Sequence, residues 1–395
     1  MGMSSQVREN MLRGSWVRRM FEEGILLKER HGDGNVFDLS LGNPVMEPPA
    51  GFRRELEKIV GQPQPGMHRY MSNAGYEETR AAVAAQLSRD TGLDFTAGDI
   101  VMTCGAAGGL NVVLKTILDP GDEVIVVAPY FVEFLNYIEN HGGVARVVQA
   151  GGNFLPSLDK LEAVLGPKTK AVILNSPNNP TGVVYDDDLL HGMAGLVQRK
   201  EREYGTQVYL LSDEAYCRLI YDGLEFPVLL RHHLRSFIVR SHSKDLALPG
   251  ERIGFVAVHP NCDDKQDVVD GLVFCNRILG FVNAPALMQN IVGHLQGVTV
   301  SIADYERRRD LLYNGLVGMG YSMVKPGGAF YVFPKIPIDD DVAFVRELQE
   351  HLVLVVPGSG FGTPGYFRAS FCVDDSTIEG SFDGFRKIAQ KYGLC

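Results

Sequence analysis

Four groups of residues in this 395-residue chain have types and spacings that could do chemistry. The first is Ser241-His242-Ser243-Lys244, followed eight residues after the lysine by Arg252, with Glu251 just before it. An amine placed this way can form an imine with a carbonyl compound, while the two serines and the arginine hold a phosphate by charge-assisted hydrogen bonds. A surface lysine in a polar loop is the other reading. The second group is Asp213-Glu214-Ala215-Tyr216, after the apolar run Val208 to Leu211. A carboxylate at the carboxyl end of a strand lies where open α/β sheets bind ligands. Facing a pyridine nitrogen, it would keep that ring protonated and a good electron sink. Alone, Asp213 also reads as a helix cap. The third, Asn175 to Gly182 with its prolines and asparagines, is a rigid loop that can present the Asn179 amide to an oxygen, or a plain turn. The fourth, Gly105-Ala106-Ala107-Gly108, offers free backbone N–H groups at a helix start, a phosphate seat or a close packing contact.

Such residues need elements to position them. From about Asp99 the chain alternates strand and helix patterns. Strands are expected at Ile100 to Thr103, Glu123 to Ala128, Ala145 to Val148, Ala171 to Leu174, Val208 to Leu211, Phe237 to Arg240 and Gly254 to Val258. Their β-branched runs lack strict alternation, as in a sheet covered on both faces. The expected architecture is therefore α/β, with a mostly parallel central sheet flanked by helices. Beyond Asp267 a long helical region to about Leu295 is expected. It is followed by helices at Ile302 to Leu316, Val342 to His351 and Ile378 to Tyr392, with strands at Tyr331 to Phe333, Leu352 to Val356 and Phe367 to Cys372. This is a smaller α+β domain. We expect residues 1–45 to form an N-terminal arm and the start of the small domain, 46–285 the large domain and 286–395 the rest of the small one. The arm is amphipathic, with Trp16, Val17, Met20, Phe21, Ile25 and Leu26 at helical spacing.

The balance of 38 Lys+Arg against 48 Asp+Glu gives a net charge of -10 with no basic stripe, which argues against nucleic acid as a partner. The six cysteines form no C-x-x-C pair and no metal-ligand rhythm, so no metal is expected and a reducing compartment is. No stretch approaches 18 uncharged apolar residues, and Arg8 and Glu9 interrupt the N-terminus. We expect a cytoplasmic chain, neither secreted nor in a membrane.

Taken together the blocks resemble the class I/II aminotransferases, pyridoxal-phosphate (PLP) enzymes of fold type I. The match is carried by Tyr70 with Gly75, Gly105-Ala106-Ala107, Asn179-Pro180-Thr181-Gly182, Asp213 with Tyr216, and Ser241-x-Ser243-Lys244 with Arg252. It runs from about Leu39 to Phe371, through Pro326 to Phe330. The resemblance implies an enzyme of the EC 2.6.1 type that moves an amino group between an L-amino acid and a 2-oxo acid by a ping-pong cycle. Lys244 would form the imine and move the proton, Asp213 would pair with the pyridine nitrogen, and Asn179 and Tyr216 would contact the phenolic oxygen. Gly105, Ala106, Ala107, Ser241, Ser243 and Arg252 would surround the phosphate, and Phe131 would stack on the ring where many members have tryptophan. Tyr70 would reach the phosphate across a homodimer interface. Arg368 would clamp the substrate carboxylate, a task for a bidentate guanidinium, and Gly42 and Asn43 would lie in the loop that closes over substrate.

Two departures bear on substrate. Aspartate-specific members of the similar bacterial subgroup carry a lysine where this chain has Ala107, and Glu251 replaces the commoner tryptophan. Arg13, Arg19 or His68 are the charges that could stand in for that lysine. On the same fold, a C–S β-lyase or a non-catalytic PLP-binding regulator would keep many of the same residues. The lack of a basic DNA-binding extension counts against the regulator. His242, beside Lys244, is expected to point away from the ring.

Overall fold

The computed structural model describes residues 2–12, 16–62 and 65–395. The β-branched runs pair into one seven-stranded sheet. Its strands, numbered in chain order, are β1 (Ile100–Thr103), β2 (Glu123–Ala128), β3 (Val144–Gln149), β4 (Thr169–Asn175), β5 (Tyr209–Asp213), β6 (Ser236–Ser241) and β7 (Gly254–Val258). Their spatial order is β1-β7-β6-β5-β4-β2-β3. Strand β7 is antiparallel to both its neighbours. The remaining pairings are parallel.

Successive residues of a strand face opposite sides of the sheet, and here each side has its own core. In β2, Val124 and Val126 pack into one apolar cluster and Ile125 and Val127 into another. Helices Gly105–Ile117, Glu133–Asn140 and Lys265–Ile278 cover the first, and Glu77–Thr91, Asp187–Tyr204 and Ala286–Gly293 the second. Asp187–Tyr204 has its ends written in sequence: the Asp186 side chain accepts from the Leu189 N–H, and Gly205 closes it in the left-handed region.

A third cluster joins Met20 and Leu39 to Leu312, Phe330, Phe344, Phe367 and Phe385. It holds a three-stranded antiparallel sheet of Val356–Pro357, Phe367–Ser370 and Tyr331–Val332, in that order. Nearby, Phe37–Asp38 pairs in parallel with Val353–Leu354. Tyr216, Leu219 and Tyr221, just past β5, also belong to this cluster, so the two parts of the chain meet beside Asp213.

The expected long helix near 267–295 is two, Lys265–Ile278 and Ala286–Gly293, separated where Gly280 takes φ +86° and Pro285 caps the second. The single strand expected at Leu352 to Val356 is likewise divided between two sheets. Helices Ala50–Gly61 and Glu133–Asn140 have no counterpart in the sequence reading. Among the described residues no helix is long and apolar enough to cross a membrane.

Candidate active site

Strands β4, β5 and β6 end side by side, with Asn175 opposite Asp213 and Asp213 opposite Val239. Asp213 is buried. The Asn175 side chain donates to its Oδ2 and to its backbone oxygen, both at 3.2 Å, while Oδ1 has no partner. Burial pushes the Asp213 carboxyl up to about 7; the Ala215 N–H opposes this and the Glu214 charge adds to it.

Beyond β6, the one-turn helix His242–Asp245 presents Lys244. Its Nζ donates to the Gly42 carbonyl at 2.6 Å and lies 5.1 Å from the Phe330 ring centre. Burial lowers the amine to about 8; the Arg368 and Arg252 charges act the same way and Cys372 opposes them. Roughly a tenth of the amine is therefore neutral at pH 7, far more than for an ordinary lysine. His242 turns away: Nδ1 lies 3.0 Å from Asp245 Oδ2, and the ring faces a small separate cavity with Glu214 and Arg240.

The chain then returns antiparallel, placing Gly254 opposite Ser241. A Cβ on Gly254 would sit 3.0 Å from the Gly105 Cα, so only glycine lets the start of helix Gly105–Ile117 approach the sheet this closely. Gly105 itself has φ +72°, and a side chain there would meet Arg252 Nη2 at 3.0 Å. Arg252, in the left-handed region at φ +51°, donates from Nη1 to the Pro249 carbonyl at 2.8 Å. The Ser241 and Ser243 hydroxyls make no hydrogen bond among the described residues.

Arg368 comes from the smaller sheet and is buried. Its Nη1 donates to Asn179 Oδ1 at 3.0 Å and its Nη2 to the Ser40 carbonyl at 2.5 Å. The guanidinium lies over the rings of Tyr331, at 4.4 Å, and Phe361, at 4.8 Å. The Tyr331 hydroxyl is 3.1 Å from the Tyr216 hydroxyl. Gly42 packs so tightly on the Tyr331 hydroxyl that a Cβ would overlap it.

These groups line one cavity of about 330 Å³. Of the residues singled out from sequence, Lys244, Asp213, Tyr216, Asn179, Arg368, Ser241, Ser243, Arg252, Phe131, Ala106, Ala107 and Gly42 lie on its wall. Gly105 is buried just behind it, and Asn43 is exposed outside the lining. Tyr70 is 90% exposed and borders a separate surface hollow with His68. Arg19 lies against Trp16 at 4.5 Å, and Arg13 falls outside the described residues. Sequence reasoning missed Asn175, Tyr331 and Ser40 as site residues. Asn175 lies in an amide-rich loop where residue type alone does not single it out, Tyr331 reads only as strand, and Ser40 acts through its carbonyl, which residue type cannot reveal.

The lining fits PLP. The unpartnered Asp213 Oδ1 suits a protonated ring nitrogen, and free serine hydroxyls beside Arg252 and a helix start suit a phosphate. The family aminotransferase class I and II matches residues 35–382. The fold superposes on an amino transferase from Eubacterium rectale with a TM-score of 0.95 at 37% identity, over 99% of each chain. On the aspartate aminotransferase of Thermus thermophilus with maleate, the TM-score is 0.88 at 28% identity, over 98% of this chain and 100% of that one. A probable aspartate aminotransferase from Methanocaldococcus jannaschii is 31% identical over 362 residues, 90% of this chain and 93% of its own. The chain therefore belongs to the class I/II aminotransferase family of fold type I, enzymes that move amino groups between amino acids and 2-oxo acids.

Proposed function

We propose that the cavity holds PLP and that Lys244, Asp213 and Arg368 carry the transamination, with Lys244 as the covalent and proton-moving residue. The observation that carries this reading is the convergence of a depressed lysine, an unpartnered buried aspartate and a buried arginine on one cavity. When bound, PLP supplies an aldehyde that takes up the amino group and a pyridine ring that withdraws electrons from the substrate α-carbon. With PLP bound, Lys244 Nζ, neutral in part near pH 8, would be the amine that holds the aldehyde carbon, water leaving as that bond forms, and the base placed to take the proton from the substrate α-carbon. Asp213 Oδ1 holds a proton on the ring nitrogen. Ser241, Ser243, Arg252 and the N–H groups at Ala106 and Ala107 bind the phosphate, and Phe131 covers one face of the ring. Tyr216 and Asn179 donate to the phenolic oxygen, and Arg368 binds the substrate carboxylate as a fork.

We also assign Tyr70 to the phosphate of a second copy in a homodimer, since its 90% exposure leaves it clear of its own chain. A cytoplasmic setting is in keeping with cysteines that are free among the described residues. The test is an absorption spectrum of the purified protein between 300 and 550 nm, repeated after adding amino acids without an acceptor. A band near about 360 or 420 nm that converts to about 330 nm is expected. No band even after adding PLP would sink the cofactor assignment.

A further inference from the structure

The charged side chains lining the cavity are Glu133, Asp213, Lys244, Arg252 and Arg368. In the reading above, on which this inference rests, four of them have a counterpart in PLP or in the part common to every α-amino acid. Glu133 has none. It opens helix Glu133–Asn140 and shares the wall with Ala107, Leu110 and Phe131, none of which carries a charge. Its Oε2 accepts from the Asn136 side chain at 3.0 Å, and no cation pairs with it among the described residues. Its charge reaches a neighbour on the same helix: the Tyr137 phenol is pushed up mainly by burial, then by Glu133 and by Asp213, with Arg252 opposing.

We propose that Glu133 determines side-chain specificity and that the enzyme takes donors ending in a cation, the ω-amino and guanidino L-amino acids, in preference to dicarboxylates. A carboxylate on a partly desolvated wall attracts an ammonium and repels a second carboxylate. The small Ala107 and the apolar Leu110 and Phe131 give the intervening methylenes a surface to lie on. The relatives named for aspartate do not carry this preference across, because the wall here holds an acid and an alanine where a distal carboxylate would need a cation.

The test is the half-reaction of the PLP-loaded enzyme with L-ornithine, L-lysine, the neutral L-norleucine, L-glutamate and L-aspartate, followed by loss of the cofactor band. Ornithine or lysine should exceed both norleucine and the dicarboxylates in kcat/KM by at least about tenfold. Glu133→Gln should lower the ratio of ornithine to norleucine about tenfold. Ala107→Lys, which places a cation on the same wall, should lower that ratio too and raise glutamate. Glutamate or aspartate as the best donor, or a ratio within about twofold of the parent in both variants, would overturn the proposal while leaving the transaminase reading intact. Failure of every donor to convert the band would instead overturn the site assignment, and the proposal with it.

Discussion

Asp213 and Arg368 line the same cavity, yet the groups they turn to a ligand are paired to different degrees. Asp213 sits at the end of a central strand of the large sheet with Oδ1 unpaired. Arg368, on the small sheet, has Nη1 and Nη2 bound to Asn179 and Ser40 and two aromatic rings against its plane, with Nε alone left unpaired. A buried acid left unpaired is costly until a ligand satisfies it, which suits a group that arrives once and stays. An arginine whose two Nη groups are already paired exchanges one set of partners there for another, with a small net change in either direction. That suits a carboxylate that must enter and leave on every turnover. Pre-organisation thus takes two forms here, one for the resident and one for the visitor.

The comparison can be broken at several points. Lys244→Ala should have the largest effect, a loss of turnover on the order of 10⁴-fold or more; steady-state rates close to the parent's would remove the lysine from the mechanism. Next is the pH dependence of the apo protein. The folded Asp213 carboxyl lies at about 7, above its unfolded value of about 3.9, so the folded state keeps its proton longer. Stability should therefore fall as pH rises from about 4 to about 7, by up to about 4 kcal/mol, and level off above. Thermal unfolding of apo protein should show this slope, and Asp213→Asn should flatten it. A parent slope retained in that variant would assign the titration elsewhere. Arg368→Leu should lower kcat/KM for α-amino acids by about 10²-fold, roughly 2.7 kcal/mol, and leave amines without a carboxylate little changed. An equal loss on both substrate types would move Arg368 out of carboxylate binding. Smallest is Tyr331→Phe, which keeps the ring beneath Arg368 but removes the hydroxyl near Tyr216. A loss of about 2- to 10-fold, mainly in kcat, is expected, whereas an unchanged kcat with raised KM would tie Tyr331 to substrate instead.

The two halves were also unequally legible. Ser241, Ser243, Lys244 and Arg252 follow one strand end and Asp213 closes another, so short local motifs name them. Lys244 meets Gly42, and Arg368 meets Asn179 and Ser40, across separations of 202, 189 and 328 residues. No local pattern encodes such distances, and Arg368 was found only through family likeness. Tyr331 looked like strand filler because its role lies in what its hydroxyl and ring touch. Strands of the large sheet were readable because runs buried on both faces must be apolar throughout. Helix Glu133–Asn140 was not, since its eight residues give too few turns for a clear period.

The antiparallel return from β6 to β7 has a consequence for length rather than chemistry. With Ser241 and Gly254 locked opposite each other, the loop carrying Lys244 and Arg252 is tied at its neck before either side chain is placed. One inserted residue adds up to about 3.8 Å of path between fixed ends and can only swing the arginine relative to the lysine. The same insertion in the largely exposed turn at 119–122 leaves every site distance untouched. The loop behaves as a caliper whose opening is set by the sheet.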